Sequence, residues 1–335
     1  MFNNKTILIT GGTGTFGVHF LNYIINKKIN FKKIIIFSRD EFKQFNLQNT
    51  FDKKILNKLR FFLGDIRDKE RLKSAFRDVD IIIHAAALKQ VPAAEYNPVE
   101  FIKTNILGAQ NIIDASYENN VKNVLALSTD KASSPVNIYG ATKLASDKLF
   151  IAANNYKGKL KTKFSVVRYG NVMGSRGSVV PIFSKLLNQD YFPITDKRMT
   201  RFNITLREAI NFVLESLKMM RGGEIFVPKI PSFRVTDLAK ALDSNKKIKI
   251  IGMRPGEKLH EEMVSIGESI NTIEFKNSYI ICPQSENIIW NKNLHLKNKK
   301  GSKSFTENVS FNSGTNDHFL SIKELKNLLK LNKLS

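Results

Sequence analysis

The sequence predicts an α/β fold, a doubly wound parallel sheet with a smaller, interleaved C-terminal lobe. Three observations point there. Short apolar runs alternate with helical patterns through the first half of the chain, as they do in β-α-β units. A glycine-rich turn, Gly11-Gly12-Thr13-Gly14-Thr15-Phe16-Gly17, joins the first apolar run to a helical pattern in which Phe16, Phe20, Ile24 and Ile25 share a face. The 335 residues are also enough to bury one large core and a lobe beside it.

Taken in order, strands are expected at Thr6–Thr10, Lys33–Phe37, Leu59–Phe62, Val79–His84, Asn123–Ser128 and Phe164–Tyr169. Pro98 suits the start of a helix over Val99–Glu118. Tyr139–Asn154 reads as a long helix that carries Tyr139 and Lys143 one turn apart on one face. After Asn171 the alternation weakens, and 172–202 is loop-rich, broken by Gly174, Gly177 and Pro181. A helix over Leu206–Met219 and a strand over Glu224–Val227 are expected to return to the main sheet, while a helix over Val235–Leu242, a strand over Lys247–Ile251 and the loop Gly252–Lys258 build the smaller lobe. The division is therefore 1–170, with 203–228 returning to it, as the nucleotide-binding body; 171–202 and 229–283 as the substrate lobe; and 284–335 as a polar tail. Within that tail, 284–318 is weakly patterned, and the capping box Ser321-Ile322-Lys323-Glu324 opens a final helix ending near Leu331. So short a helix is marginal alone and should dock on the body.

A net charge of +23 raises the question of nucleic acid. The lysines are scattered, their clearest cluster being Lys297 to Lys303, and no groove-reading motif accompanies them. A solvated basic face that favours phosphate-rich small ligands is the better reading. No apolar run reaches the roughly 18–20 residues that cross a bilayer, and Met1-Phe2-Asn3-Asn4-Lys5 runs straight into the first strand, unlike a signal peptide. The single cysteine, Cys282, reads as a packing residue at a strand end and fits a reducing compartment. A cytoplasmic protein is expected.

The glycine turn has the form of a dinucleotide site. Gly11 permits the tight turn, Gly14 lets the backbone approach a pyrophosphate, Gly17 allows close helix packing, and the helix amino end offers Thr13, Thr15 and Phe16 backbone donors to phosphate. The second strand ends Phe37-Ser38-Arg39-Asp40, with Lys43 close behind. Asp40 could bind a ribose hydroxyl and select NAD, but Ser38, Arg39 and Lys43 could hold a 2′-phosphate, so NADP is expected. Asp65, beside Ile66 after the third strand, could accept from the adenine amine or cap a helix, and Ala85-Ala86-Ala87 leaves room for a dinucleotide to pass.

Thr129-Asp130-Lys131 lies at the end of an apolar strand, where an α/β sheet delivers groups to its ligand crevice, and Tyr139 and Lys143 follow within fifteen residues. An acid, an amine base and a Tyr–Lys redox pair together suit oxidation, elimination and reduction on a sugar. Tyr139 as phenolate would take the proton of the 4-hydroxyl, with Lys143 stabilising an anion whose ordinary pKa is about 10. Lys131 would remove the acidified proton of carbon 5, provided that its pKa falls towards the working range, and a protonated Asp130 would release the 6-hydroxyl as water. Thr129 would orient the sugar or the tyrosine. His84 and His260 lack metal-spaced partners, so structural roles and no metal are expected.

The glycine turn, Asp65, Ala85–Ala87, Asn105 and Tyr139-x-x-x-Lys143 resemble the extended short-chain dehydrogenase/reductase family over residues 5–282. More narrowly, Leu127–Ala132, Asn137–Lys143, Arg168–Val172, Gly174–Pro181, Met199–Phe202 and Arg254–Lys258 are similar to the inverting UDP-N-acetylglucosamine 4,6-dehydratases. That resemblance implies UDP-N-acetylglucosamine as substrate, tightly bound NADP regenerated each turnover, and inversion at carbon 5 to give UDP-2-acetamido-2,6-dideoxy-β-L-arabino-hex-4-ulose. It places this step at the opening of pseudaminic acid synthesis for glycosylation of flagella or another surface polymer, and implies a homo-oligomer built on dimers, hexamers among the options. It also adds Asn105 and Val172 to the cofactor set, and assigns Lys89, Asn171, Arg176, Arg201, Arg254 and Glu257 to the nucleotide sugar, a role for which arginine's planar fork is suited. Asn203 departs from it, standing where an aromatic residue is expected. The alternatives are a retaining dehydratase or a 4-epimerase on the same sugar, the former usually preceded by membrane helices, and a cofactor-binding regulator without turnover.

Overall fold

The computed structural model describes residues 1–175, 177–283 and 303–332. Strands β1 (Thr6–Thr10), β2 (Lys33–Ser38), β3 (Leu59–Leu63), β4 (Ile81–His84), β5 (Asn123–Thr129) and β6 (Lys163–Tyr169) fall where the apolar runs predict, to within two residues at either end. Short pieces β7 (Asn171–Val172), β8 (Tyr191–Ile194) and β9 (Thr200–Ile204) follow. Next come β10 (Ile225–Pro228), β11 (Ser232–Arg234), β12 (Lys247–Ile250), β13 (Glu262–Val264), β14 (Thr272–Glu274), β15 (Ser278–Ile281), β16 (Lys303–Ser304) and β17 (Phe311–Asn312).

The main sheet runs β3-β2-β1-β4-β5-β6-β10-β15-β14-β16, parallel as far as β10 and antiparallel beyond. Strand order reverses between β1 and β4, and the carboxyl ends on either side of that reversal are where doubly wound sheets bind ligands. The central strands are apolar on both faces because helices cover both: Ile7, Leu8, Ile9, Ile34, Ile36, Ile82, Ile83, Val124 and Leu125 are wholly buried. β10 returns to this sheet as expected. β14 and β15, expected in the smaller lobe, instead extend the main sheet: their alternation is too short to read, but Ile280 and Ile281 bury against its core.

The expected single helix over Val99–Glu118 is three pieces: an α-turn Pro98–Phe101, a π-helical stretch Ile102–Leu107 and an α-helix Gly108–Glu118. A widened turn of this kind re-aims side chains and often marks a working site. The loop-rich 172–202 contains a helix, Val179–Lys185, and β8, which pairs with β12 to form part of the smaller lobe. The terminal helix Ile322–Leu331 has the expected capping box, with Ser321 Oγ and Glu324 bonded reciprocally. It docks as anticipated, Leu325 and Leu329 packing with Leu238 of helix Val235–Leu242. Asn203 is buried in β9, next to Phe202, whose ring packs on Phe311.

A buried charge cluster ties the two parts together. Arg168, fully buried, donates through Nη1 to the Met263 carbonyl at 3.0 Å and pairs with Glu268 at 2.9 Å, while its Nη2 lies 3.7 Å from Asp147. Asp147 sits one turn beyond Lys143 and accepts from Ser128 Oγ at 2.8 Å. Removing one partner of such a cluster strands the others in a dry interior, at a cost of about 3–5 kcal/mol. Arg168→Met is therefore expected to lower the unfolding free energy from urea titration by that amount, and a loss below about 1 kcal/mol would contradict the account.

Candidate active site

Two adjoining clefts open at the carboxyl ends of the central strands and share Gly11, Gly14, Ala85 and Ala87. The outer one, about 530 Å³, is lined by Thr13, Ser38, Arg39, Asp40, Lys43, Asp65, Ile66 and Ala86 as well. The inner one, about 420 Å³, is lined by Thr15, Phe16, Lys89, Gln90, Thr129, Lys131, Tyr139, Lys143, Asn171 and Val172, among others. Together they hold most of the residues expected at the cofactor. Both volumes lie in the range of ligand pockets.

The glycine turn does what its composition predicts. Gly11 takes φ +65°, and a side chain there would meet the Ala86 backbone nitrogen at 2.9 Å. Helix Thr15–Asn26 begins at Gly14 with no side-chain cap, so its first-turn N–H groups are left for a ligand. Gly17 is buried in that helix, in the packing role read for it. These uncapped donors, beside a basic rim, fit a dinucleotide diphosphate.

At that rim Asp40 is committed. Its Oδ1 caps helix Glu41–Gln48 by accepting from the Lys43 N–H at 2.9 Å, and its other oxygen pairs with the Lys43 ammonium. Asp65 is likewise engaged, Oδ2 accepting from Arg67 Nη2 at 2.7 Å and lying 3.5 Å from Arg39. Burial works against its charge, but the Arg67 contacts outweigh it and hold the carboxyl below its usual range. The cap of the following helix is Asp68, so Asp65 is not one.

The π-helical turn places Asn105 behind the inner cleft. Its side chain accepts from the Leu88 N–H at 2.9 Å and donates to the Leu88 carbonyl at 3.0 Å and to Thr142 Oγ1 at 3.1 Å. It thereby fixes the loop after β4 to helix Ile138–Ala152. That helix, capped by Asn137, carries Tyr139, Lys143 and Asp147 inward. Gly140, whose missing side chain lets the helix press on the Lys131 carbonyl, brings Tyr139 alongside the Asp130–Lys131 turn.

Thr129 ends β5, and Asp130-Lys131-Ala132 forms a short 3₁₀ turn. Asp130 is fully buried behind the cleft wall; its Oδ1 accepts from Thr129 Oγ1 at 2.8 Å and from Lys131 Nζ at 3.2 Å. Burial, reinforced by Glu261, raises its pKa despite Lys131. The Tyr139 hydroxyl bonds the Thr129 side chain, and burial pushes the phenol up to about 12, offset in part by Lys131. Lys143 Nζ donates to the Leu127 carbonyl at 2.9 Å, and burial lowers its pKa.

One expectation is overturned. Burial does depress Lys131, but Asp130 and Glu261, 3.0 Å away, outweigh it and raise the amine above its ordinary value. These two carboxylate contacts favour the ammonium form of Lys131 in the resting protein. Glu261 had no motif of its own; it follows Arg254–Lys258 by three residues, and only the fold brings it beneath the strand end.

Among the residues expected at the sugar nucleotide, Lys89 and Asn171 line the inner cleft, and burial followed by Lys131 lowers the Lys89 pKa. Arg201 lies behind it, donating to the Thr200 and Leu259 carbonyls and standing 3.7 Å from Glu261. Arg254 and Glu257 pair with each other at 3.8 Å on the loop beside Asn137, away from the cleft walls. Arg176 lies outside the described residues. His84 is buried against Thr10, with its pKa lowered to about 3 by desolvation and then Lys143, and His260 bonds Thr200; both are structural.

Residues 7–283 match the polysaccharide biosynthesis protein family. The chain is 55% identical over 98% of both lengths to a UDP-N-acetylglucosamine 4,6-dehydratase (inverting) of Campylobacter jejuni. It is 44% identical over 84% of both lengths to a UDP-glucose 4-epimerase of Rickettsia bellii. Among solved structures, Pen from Bacillus thuringiensis superposes with a TM-score of 0.90 over the full length of both chains, at 37% identity. No helix among the described residues is long and apolar enough to cross a membrane.

Proposed function

The chain belongs to the polysaccharide biosynthesis protein family, within the extended short-chain dehydrogenases/reductases, and from that premise we propose that it is an inverting UDP-N-acetylglucosamine 4,6-dehydratase. The observation that carries this reading is the pair of buried Asp130 and cleft-wall Lys131 beside Tyr139, since an epimerase or a plain dehydrogenase has no use for an elimination acid and base.

A bound nicotinamide dinucleotide supplies the oxidation at carbon 4 and the closing reduction at carbon 6. Gly11, Gly14 and the open helix terminus hold its diphosphate, and Ser38, Arg39 and Lys43 hold a 2′-phosphate. With Asp40 occupied as a helix cap, NADP is the preferred form. Arg39→Ala is expected to raise the Kd for NADP about tenfold or more, the worth of a charge-assisted hydrogen bond, with NAD little changed. Equal effects on both cofactors would remove the 2′-phosphate assignment.

Tyr139 takes the proton of the sugar 4-hydroxyl. Its phenol is too weak an acid in this burial to ionise alone, so the Lys143 and Lys131 charges must favour the anion. The resting ion pair of Asp130 and Lys131 becomes a carboxylic acid and a free amine by one proton shift across 3.2 Å. Burial of Asp130 favours this neutral form, because it removes an anion from behind the cleft wall. Lys131 then removes the proton of carbon 5, and Asp130, through Thr129 or directly, protonates the departing 6-hydroxyl. Reprotonation of carbon 5 from the other face gives inversion. Lys89, Asn171 and Arg201 serve the nucleotide sugar, and Arg176, Arg254 and Glu257 are assigned to it by the family resemblance alone. The enzyme works in the cytoplasm as a dimer-based oligomer and opens pseudaminic acid synthesis.

Proton NMR of the product from UDP-N-acetylglucosamine tests the reading. A 4-keto-6-deoxy sugar inverted at carbon 5 is expected; no such product would overturn it. The Rickettsia relative motivates a 4-epimerase as second reading, and a product changed only at carbon 4 would establish that instead.

A further inference from the structure

The mechanism above leaves one buried charge beside the reacting pair unused. Glu261 is 2% exposed, yet its Oε1 stands 3.0 Å from Lys131 Nζ and 3.7 Å from Arg201 Nε. Its Oε2 is buried with no hydrogen-bond partner among the described residues. The backbone around it is fixed: Ser313 Oγ accepts from the Glu261 N–H at 2.9 Å, and the Ser313 N–H donates to the Glu261 carbonyl at 2.8 Å. A carboxylate is costly to bury, and this one is neither a helix cap nor wholly matched by Arg201. Its short contact is the amine on the cleft wall.

Resting on the dehydratase reading, we propose that Glu261 is a positioning residue for the elimination, holding the Lys131 amine against Asp130 and deciding where their shared proton resides. Three elements meet here: the Asp130–Lys131 turn, β9 with Arg201, and the segment Lys258–Glu261 before β13. Facing the site are Asp130, Lys131, Arg201, Lys258, Lys89 and Tyr139. Lys131, Arg201 and Lys258 together hold Glu261 as a carboxylate against the effect of burial. Its negative charge makes both neighbours hold a proton more tightly, raising Lys131 and Asp130 alike.

The proton inventory closes around it. One proton passes from the Lys131 ammonium to the Asp130 carboxylate, giving amine and acid. The amine takes the carbon 5 proton, and that C–H electron pair becomes the carbon 5–carbon 6 double bond. The carbon 6–oxygen bond breaks as the Asp130 proton leaves with the hydroxyl as water. Lys131 is again an ammonium and Asp130 a carboxylate, the pair seen at rest. Glu261 is charged throughout and exchanges nothing.

Glu261→Gln keeps the shape and the backbone bonds while removing the charge. Without it Lys131 becomes less basic and Asp130 more acidic, so both limbs of the pH profile of kcat move to lower pH. A fall in kcat of about 10–100-fold, with KM within about threefold, is expected. Glu261→Asp, which restores the charge, should bring back the wild-type profile and part of the rate. A Gln variant with wild-type kcat and an unmoved profile would overturn the proposal. So would an equal loss in the Gln and Asp variants, which indicates packing alone. If the wild-type protein fails to convert UDP-N-acetylglucosamine, the dehydratase reading itself falls, and this role with it.

Discussion

Lys131→Ala is expected to lower formation of the 4-keto-6-deoxy sugar by about 10²–10⁴-fold, the usual contribution of a positioned acid or base. The amine stands on the inner cleft wall with a buried acid, Asp130, at 3.2 Å. Its removal leaves Asp130 and Glu261 without their shared cation, and Asp130, already raised by burial, takes up a proton. The turn should therefore persist, held by Thr129 and by the helix pressed on its carbonyl. Oxidation at carbon 4 uses Tyr139 as its base, so loss of the Lys131 charge should slow that step without stopping it. Borodeuteride quenching of the variant with stoichiometric substrate should trap a 4-keto hexose that still carries its 6-hydroxyl. Product formed at an undiminished rate would remove Lys131 from the role of base.

Tyr139→Phe should fail one step earlier. The phenol is the proton acceptor at the 4-hydroxyl, and its loss is expected to slow carbon 4 oxidation by about 10²–10⁴-fold. Quenching should then trap no 4-keto sugar, eliminated or not. The fold should hold, because the ring packs with Ala94 and Phe101 and its hydroxyl contributes a single bond to Thr129. The two variants separate the steps: one accumulates the ketone, the other never makes it. A Phe variant that builds up the same ketone as the Ala variant would contradict the division of labour.

The parts of this molecule that follow from local chemistry were legible in the sequence. The six parallel strands, the glycine turn and the Tyr139–Lys143 spacing all rest on period, turn chemistry or one-turn geometry. So does the last helix, because Ser321 and Glu324 announce its start and its apolar face requires a partner. What escaped depends on contacts between distant segments. β14 and β15 are too short to show which sheet they join, and the π-helical turn exists to bring Asn105 to Leu88 and Thr142, a need invisible along the helix itself.

The charge of Lys131 belongs to the same class. Burial alone would have lowered its pKa, which is what a buried lysine suggests in sequence. The sign reverses because two carboxylates oppose it, Asp130 first and then Glu261, which comes from 130 positions away along the chain. Asp40 makes the converse point: sequence offered it as a ribose ligand, but a helix starting one residue later takes its side chain as a cap.

The central claim is that carbon 5 of the sugar loses its hydrogen to a side chain and regains one from the opposite face. Turnover of UDP-N-acetylglucosamine in deuterium oxide tests this directly. A single deuteron at carbon 5 of an inverted product is predicted, and an inverted product that keeps its original hydrogen there would contradict the account.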